Sequence, residues 1–567
     1  MKKSDLTGSV ASVKSEDLAN RATSDAAQAL QGKAAGVQIM NSSGAPGSGA
    51  DIRIRGVSSN SGSLGPLLIV DGLKVDNIQY LDPEMIESME VLKDAASAAI
   101  YGAQAGNGVV LITTKSGKNG AGDGTIFYNG QWQLKSLSRE LKVMNAEQYI
   151  DFGQKMGFLK KNWETTNHYD GADVDWSSEV FEPTWSQRHT VGFQGGNERG
   201  SYFLAINNVY NNGIFVGDKD VYKRLSLQLN GEYKIKKWLT VGSNNSIEKW
   251  RTESISQQSD NGSAMLAAIT SDPLFGPFVD PDKLDEQLTG AQKSALGLTG
   301  DGTVYSEGET NENGEYPFRR VLGEDGKYYR ISPISGQTQS SNPFIQRDRN
   351  SGYSQGITVR GLAYLNFNPI EGLVYTSRFG YRLGFRNVHN YEAPFVANDF
   401  VYRNDFMIRS ETHTNFYYQW ENFINYSKTF ADKHDVALMA GMSWEDSHSD
   451  NTWGQAQGGD ILKGYADNFR FLDYLKDGDA CLKSTGGTEN DSKSLSYFGR
   501  LTYSYDNRYS IQANFRADAF DSSKLPADKR WGKFPSFSAG WTVSNESFFA
   551  DNINTNIVSF LKLRGSW

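Results

Sequence analysis

Four stretches hold residue types whose spacing could support chemistry. The first is "AIYGAQAGNGVVLITTK", Ala99 to Lys115, a glycine-rich loop beside an apolar run of the kind that can cradle a phosphate. A P-loop needs Gly-Lys followed by Ser or Thr, but the Gly-Lys pairs at 32–33, 117–118, 326–327 and 532–533 are followed by Ala, Asn, Tyr and Phe. A dinucleotide fingerprint follows a strand and opens a helix. Here Gly102, Gly106 and Gly108 follow a helical pattern and open a strand, so a helix C-cap and a close backbone crossing explain the glycines better. The second is "GYSQG", Gly352 to Gly356, which places Ser354 in a GxSxG frame. A nucleophile elbow needs a strand before it and a helix after it, and here a loop precedes and the strand "ITVRGLAYLNF" follows. The third is "DGADVDW", Asp170 to Trp176, whose acids lack the calcium-loop spacing and allow at most an incidental Ca²⁺. The fourth is the set of 6 histidines, none of which opens an HExxH zinc motif. The expectation is no catalytic residue, no resident metal and no cofactor: the chain is not an enzyme. Ester hydrolysis lost on Ser354→Ala would be needed to revive the opposite view.

Composition agrees. The net charge is −9, which argues against a nucleic-acid-binding face. One cysteine, Cys481, permits no internal disulfide. No apolar run approaches the length of a membrane helix, and "MKKSDLTGSV" has no apolar signal core. Aromatic residues reach 12% and glycines number 58, in a chain that is polar on average with a mean hydropathy of −0.54. A transmembrane β-barrel produces this mixture, because only alternate residues face lipid.

The elements divide near residue 122. Before it, helix and strand signals alternate. Ser24 reads as an N-cap for "DAAQALQGK" with Gly32 at its stop, and strands are expected at Val37–Met40, Asp51–Arg55 and Leu67–Val70. A turn around Pro83, a strand through Ser88 to Leu92 and a small-residue helix from Asp94 to Gly102 complete a mixed α/β unit, residues 1–122. After the linker-like "SGKNGAGDG" (Ser116–Gly124), strands dominate residues 123–567. In "RLSLQLNGEYKI" the even positions from Arg224 to Lys234 are polar, and the odd ones from Leu225 to Ile235 are apolar but for Gly231. "GRLTYSYDNRYSIQANFRADAF" repeats the plan around an Asp506-Asn507 turn, "TVRGLAYLNFNPIEGLVYTSRFGY" around Asn368-Pro369, and "VALMAGMSW" aligns Val436, Leu438, Ala440, Met442 and Trp444. Short turns join the strands at one end and long polar stretches, about 251–350 and 446–492, at the other, as in an outer-membrane barrel. Tyr202, Tyr210, Tyr222, Trp238 and Trp444 fit an interfacial girdle; a β-sandwich with aromatic core residues is the alternative.

Residues 30–118 carry a resemblance. "LQGKAAGV", "GAPGSG", "IRIRG", the "VDG" after an apolar strand, "EVLKDAASAAIYG" and "NGVVLITTK" occur in the order found in the plug domain of SusC/RagA-type TonB-dependent outer-membrane transporters. "FGRLTYSYDNRYSIQANFRADAFDSS", "RWGKFPSFSAGWTVSNESFF" and "LKLRGSW" resemble the middle of that family's barrel. The fold this implies is an antiparallel transmembrane β-barrel, incomplete in this chain, with an N-terminal mixed α/β plug inside it. A plugged barrel of this type has about 22 strands, against roughly ten to twelve candidates here, so a fragment or truncated product of a longer protein is expected.

The resemblance implies TonB-dependent uptake of an oligosaccharide or a peptide across the outer membrane of a Gram-negative, Bacteroidetes-type bacterium. It also implies a SusD-like surface lipoprotein as lid and the TonB–ExbB–ExbD complex as motor. A siderophore, vitamin or signalling receptor of the same architecture is the alternative. The plug loops Asn41–Gly49 and Ser58–Pro66 would face the substrate, with Asn41, Ser42, Ser43, Ser58, Ser59, Asn60 and Ser61 as candidate contacts. Arg53 and Arg55 are expected to pair with carboxylates of the barrel wall, and loop aromatics Tyr305, Tyr316, Tyr328, Tyr329 and Trp453 to stack on sugar rings.

Overall fold

A computed structural model describes residues 10–19, 23, 25–41, 43–56, 64–94, 98–117, 122–255, 263–279, 283–287, 328–330, 332, 334, 342–348, 350–392, 395–396, 402–403, 407–457, 482–521, 525–553 and 558–567. The N-terminal unit holds β1 (Val10–Lys14), β2 (Val37–Met40), β3 (Asp51–Ile54), β4 (Leu67–Val70), β5 (Leu73–Val75), β6 (Ile86–Leu92) and β7 (Val109–Thr114). Five of them form one sheet in the order β1-β6-β7-β4-β5, in which only β4 and β7 run parallel. β2 and β3 form a separate hairpin. The turn between β4 and β5 is Asp71-Gly72 with φ of +53° and +102°, the pair of left-handed positions a two-residue hairpin demands. One apolar core, including Leu18, Leu30, Ile52, Ile54, Leu81, Met89 and Ile112, welds sheet, hairpin and short helices together, and a second gathers Ile69, Leu92, Ala98, Ala105 and Val109.

The helix expected behind Ser24 is shorter than its pattern. It spans Ala26–Ala29, its cap is Asp25, whose carboxylate accepts from the Ala27 amide at 2.8 Å, and Gly32 turns the chain at φ +76°. Ser24 lies outside the described residues. Instead of one helix ending at Gly102, two 3-10 turns, Ala99–Tyr101 and Ala103–Ala105, flank that glycine.

The remaining chain builds one antiparallel sheet of 13 strands in which sequence neighbours pair throughout. Its strands are β8 (Gly122–Lys135), β9 (Thr184–Gly196), β10 (Gly200–Asn212), β11 (Val221–Lys236), β12 (Leu239–Glu253), β15 (Asn350–Ile370), β16 (Leu373–Glu392), β19 (Met407–Phe430), β20 (His434–Gln457), β21 (Leu482–Tyr505), β22 (Tyr509–Phe520), β23 (Trp531–Thr542) and β24 (Lys562–Ser566). Two-residue strands β13 (Phe278–Val279), β14 (Tyr328–Tyr329), β17 (Phe395–Val396) and β18 (Tyr402–Arg403) lie in the connections.

The faces are inverted relative to a water-soluble sheet. On β11, Arg224, Ser226, Gln228 and Asn230 are buried, while Leu225 and Leu229 stand 50% and 47% exposed. The wall turns polar groups inward and apolar ones outward, the arrangement a barrel wall in lipid requires. Four girdle candidates, Tyr202, Tyr210, Trp238 and Trp444, are on the outward parity or at a turn. Tyr222 is a correction: it shares the inward parity of Arg224 and packs on the plug.

Turns of two or three residues join five strand pairs at one end, including Asp506-Asn507, both at φ +52°, while residues 543–561 join β23 to β24 there. The turn expected at Asn368-Pro369 falls later, at Glu371-Gly372 with Gly372 at φ +84°. Register slips between Phe367 and Ile370, so the proline sits in a bulge, where its missing N–H costs no ladder bond.

Long connections occupy the other end, which faces outward in an outer-membrane barrel. They begin later than their polarity suggested: β20 and β21 carry residues 446–457 and 482–492 as strand. The described parts of connections 136–183 and 254–349 fold together rather than trailing as loops. Trp176, Phe215, Ala268, Tyr329 and Phe344 share one apolar core, and Trp163, Leu274 and Phe275 another. The Trp176 indole donates to the Asp272 carbonyl at 2.7 Å.

Candidate functional site

The plug meets the concave polar face of the wall along a seam of side chains from both. Asp82 is its most buried member. It caps the 3-10 turn Pro83–Met85 by accepting from the Glu84 amide at 2.9 Å, and the same carboxylate accepts from Arg188 at 2.9 Å, from the Thr190 hydroxyl at 2.8 Å and from the Asn207 amide. Arg188 also donates to the Thr23 carbonyl at 2.9 Å. Nearby, Asn230 donates to the Thr114 hydroxyl and the Lys115 carbonyl, both at 2.7 Å, and Thr114 donates to Asp71 at 2.6 Å. Burial pushes the Asp71 carboxyl above its usual range, against the pull of these hydrogen bonds.

The β4–β5 hairpin is held on the far side. Gln419 donates to the Gly72 carbonyl at 3.0 Å and accepts from the Lys74 amide at 3.2 Å, Lys74 reaches Glu445 at 2.5 Å, and Arg382 reaches Asp76 at 2.9 Å. Asp76 is 77% exposed, so this last pair exchanges with water. At a third point Arg516 donates to the Ile100 carbonyl at 2.6 Å, and a Cβ on Gly102, at φ +74°, would come within 2.6 Å of the Arg516 Nε. Gly108, at φ +90°, passes so close that a Cβ would lie 2.9 Å from the Leu92 carbonyl. These two glycines of the opening motif therefore serve close backbone approach.

Between the plug and the outward ends of β8, β10 and β11 lies a cavity of about 390 Å³, lined by Asn41, Ser43 and Gly47 of the plug and by Lys135, Tyr222 and Arg224 of the wall, among others. Asp25 shapes its floor by accepting from the Ala27 and Ala50 amides at 2.8 and 3.1 Å, tying loop to helix. Burial raises its carboxyl above the ordinary range, an effect the two amides and Arg224 oppose. Ser43 steadies the loop by accepting from the Ala45 amide at 3.0 Å. Gly47, at φ +75°, lies flat on the Tyr222 ring, where a Cβ would stand 2.5 Å from a ring carbon. Arg224 donates to Asn207 at 3.1 Å and to the Gln79 carbonyl, and Lys135 to the Asn212 carbonyl at 3.1 Å. Amides, hydroxyls, two cations and one ring form a lining that can hydrogen-bond a polar solute; no histidine or cysteine belongs to it.

The structure places the sequence-derived candidates unevenly. Asn41 and Ser43 line the cavity. Ser42, Ser58, Ser59, Asn60 and Ser61 lie outside the described residues, as do Tyr305, Tyr316 and Cys481. Arg53 is half-buried in the β2–β3 hairpin opposite Gln38, and Arg55 is exposed at φ +57°. Neither forms an ion pair with the wall among the described residues; Asp82, Lys74 and Asp76 do so instead. Local pattern could not distinguish them, since Asp82 before Pro83 reads only as a turn starter. Tyr329 is buried and donates to Asp348, so it does not stack on solute, and Trp453 packs on the Arg409 guanidinium at 4.3 Å. The acids of the 170–175 stretch serve separate partners: Asp170 holds Arg330 at 2.6 Å, Asp173 the Ala146 amide at 2.8 Å, and Asp175 caps the helix Trp176–Val180. His448, Glu489 and Asp491 gather ligand-type atoms on the wall's outer face, where His448 and Asp491 bond at 2.6 Å; histidine spacing along the chain had hidden this cluster.

Comparison with known proteins agrees with this geometry. Residues 2–109 match the TonB-dependent Receptor Plug Domain family. The whole chain is 28% identical over 578 residues to the TonB-dependent receptor SusC of Bacteroides thetaiotaomicron, covering 52% of that protein. It is 27% identical over 574 residues to the TonB-dependent receptor P39 of Formosa agariphila, covering 48% of it. The chain thus spans about half the length of the curated relatives it matches. The fold is similar to that of the RagAB peptide importer in its open-open state, with a TM-score of 0.79 at 24% identity, over 100% of this chain and 60% of that one.

Proposed function

We propose, from the premise that this chain is a SusC/RagA-type TonB-dependent receptor of the outer membrane carrying the plug and thirteen strands of wall, that the whole protein imports a polar nutrient. The carrying observation is the cavity between the plug loop Asn41–Gly49 and the inward face of the wall. An oligosaccharide or a peptide is the cargo, a SusD-like lipoprotein delivers it, and TonB–ExbB–ExbD supplies the work, because the outer membrane holds no ATP.

The residues suggest how the plug yields. Fully buried contacts such as Asp82–Arg188 define one seated position, since an unpaired charge there is costly. Exchangeable contacts such as Asp76–Arg382 release at low free energy. Tension on the N-terminal side would loosen the second kind first, leaving the wall intact.

The test is a bis-maleimide link between cysteines at Asp76 and Arg382, in a background where Cys481→Ser removes this chain's own thiol. Cells carrying the linked protein should lose energised uptake while retaining surface binding, and a cleavable linker should restore it. Uptake unaffected by the link, or unchanged on deleting the gene, overturns the proposal.

A further inference from the structure

The inward face of the wall carries arginines on neighbouring strands, and on β15, β16 and β19 all but one of those described have a carboxylate partner. Arg360 on β15 pairs with Glu248 at 3.0 Å, Arg378 on β16 with Glu421, Arg382 on β16 with the plug's Asp76 at 2.9 Å, and Arg409 on β19 with Glu411 at 2.6 Å. Arg386, two steps further out than Arg382 on the same face of β16, has no ion pair among the described residues. Its Nε donates to the Ser354 hydroxyl at 2.9 Å. The acids and bases facing it are otherwise engaged. His413, opposite it in register on β19, bonds Glu411 at 3.0 Å, and Glu411 also holds Arg409. Glu392, six residues further along the strand, borders the same recess from its outward end and has an interaction of its own.

Arg386 and Ser354 line a cavity of about 450 Å³ at the outward end of β12, β15 and β16, together with Thr252, Ser254 and Asn390. The recess has a cause in the sequence. On β15 the residues sharing the inward face here are Gly352, Ser354 and Gly356; the Trp250 ring lies over Gly356 and the Asn390 side chain over Gly352, so the recess is left by the short Ser354 between them. Gly356 stands directly opposite Arg386 in register. Gly352 and Ser354 thus border a notch in the wall, and Arg386 reaches across it. With Nε held by Ser354, the two terminal nitrogens remain as a parallel pair of donors, the fork that fits a carboxylate.

We propose that this notch is a subsite for a carboxylate carried by the imported solute, recognised by Arg386 with Ser354 as its positioning residue. It rests on the uptake reading for its biological sense, and its source is either a uronic acid of an oligosaccharide or the C-terminus of a peptide.

Binding to the purified full-length gene product in detergent tests it with two probe pairs: trigalacturonate against its methyl ester, and trialanine against trialanine amide. One acid should bind about 10-fold more tightly than its neutral partner, the advantage shrinking with salt. Which acid does so identifies the source. Arg386→Gln should abolish the advantage, Arg386→Lys should keep part of it, and Ser354→Ala should reduce it several-fold. Equal binding within both pairs, no binding of either acid, or an advantage that survives Arg386→Gln in a protein still migrating as a folded barrel overturns the proposal. Uptake is scored separately: import unchanged on deleting the gene refutes the transport reading without touching these binding arms.

Discussion

The carboxylate of Asp82 and the guanidinium of Arg188 meet at 2.9 Å with side-chain exposures of 0% and 5%, joining a plug turn to the barrel wall across 106 residues of chain. The same carboxylate caps its own 3-10 turn, so local backbone geometry and plug seating depend on one side chain. Replacing it strands Arg188, Thr190 and Asn207 in a dry site. We expect Asp82→Ala to cost about 3–5 kcal/mol of plug seating. Asp82→Asn, which keeps part of the hydrogen bonding, should cost less. Protease sensitivity of the plug and leakage of large antibiotics through the outer membrane measure it; a plug as resistant as the parent's would refute the role.

Gly47 lies against Tyr222 at a left-handed backbone angle. Gly47→Ala should therefore suffer twice, from about 1–2 kcal/mol of backbone strain and from contact with the ring. Adding Tyr222→Ala should relieve the contact and leave the strain. Protease sensitivity of the loop Asn41–Gly49 in the single and double variants separates the two; equal sensitivity would deny the contact.

Asp220, in the outward connection before β11, is pushed up to about 6, chiefly by burial, with the Phe215 amide and Lys135 opposing. Its folded value lies above the unfolded one near 3.8, so between these the folded state binds the extra proton and stability falls as pH rises from about 4 to 6. Asp220→Asn should flatten that slope and stabilise the protein above pH 6 by on the order of 2 kcal/mol. Thermal midpoints of the detergent-solubilised protein between pH 4 and 7 provide the measurement; a parent and variant with parallel profiles would refute it.

Leu229, midway along β11 opposite Leu204, faces outward, whereas its neighbour Gln228 is buried inward. Leu229→Arg places a charge in hydrocarbon and should cost about 2–4 kcal/mol. Arginine at Lys236, near the strand end, should be tolerated. Heat-modifiable migration of membrane-extracted protein reports assembly, and equal yields from both variants would place Leu229 outside the lipid belt.

The barrel wall was readable because its rule is local. Alternation with a period of two along "RLSLQLNGEYKI" states which side chains part to opposite faces, and the Asp506-Asn507 turn states where a strand reverses. The plug strands Val37–Met40 and Leu67–Val70 were legible for the same reason. Even so, alternation says that two faces differ and not which neighbour each one meets. Tyr222 read like its girdle companions until the plug was found beneath it.

By itself, then, the amino-acid order determined the class of fold and most strand positions. The tertiary structure alone decided which charges meet. Arg53 and Arg55 looked like the contacts because they alternate on a short strand, but pairing depends on distance in space. Only the wrapped sheet brings Arg188 to Asp82 and Arg382 to Asp76, and only the pairing of β15 with β16 turns Ser354 from a motif fragment into a neighbour of Arg386. Electrostatic partners are chosen over a few ångströms, and chain separation carries no information about that scale.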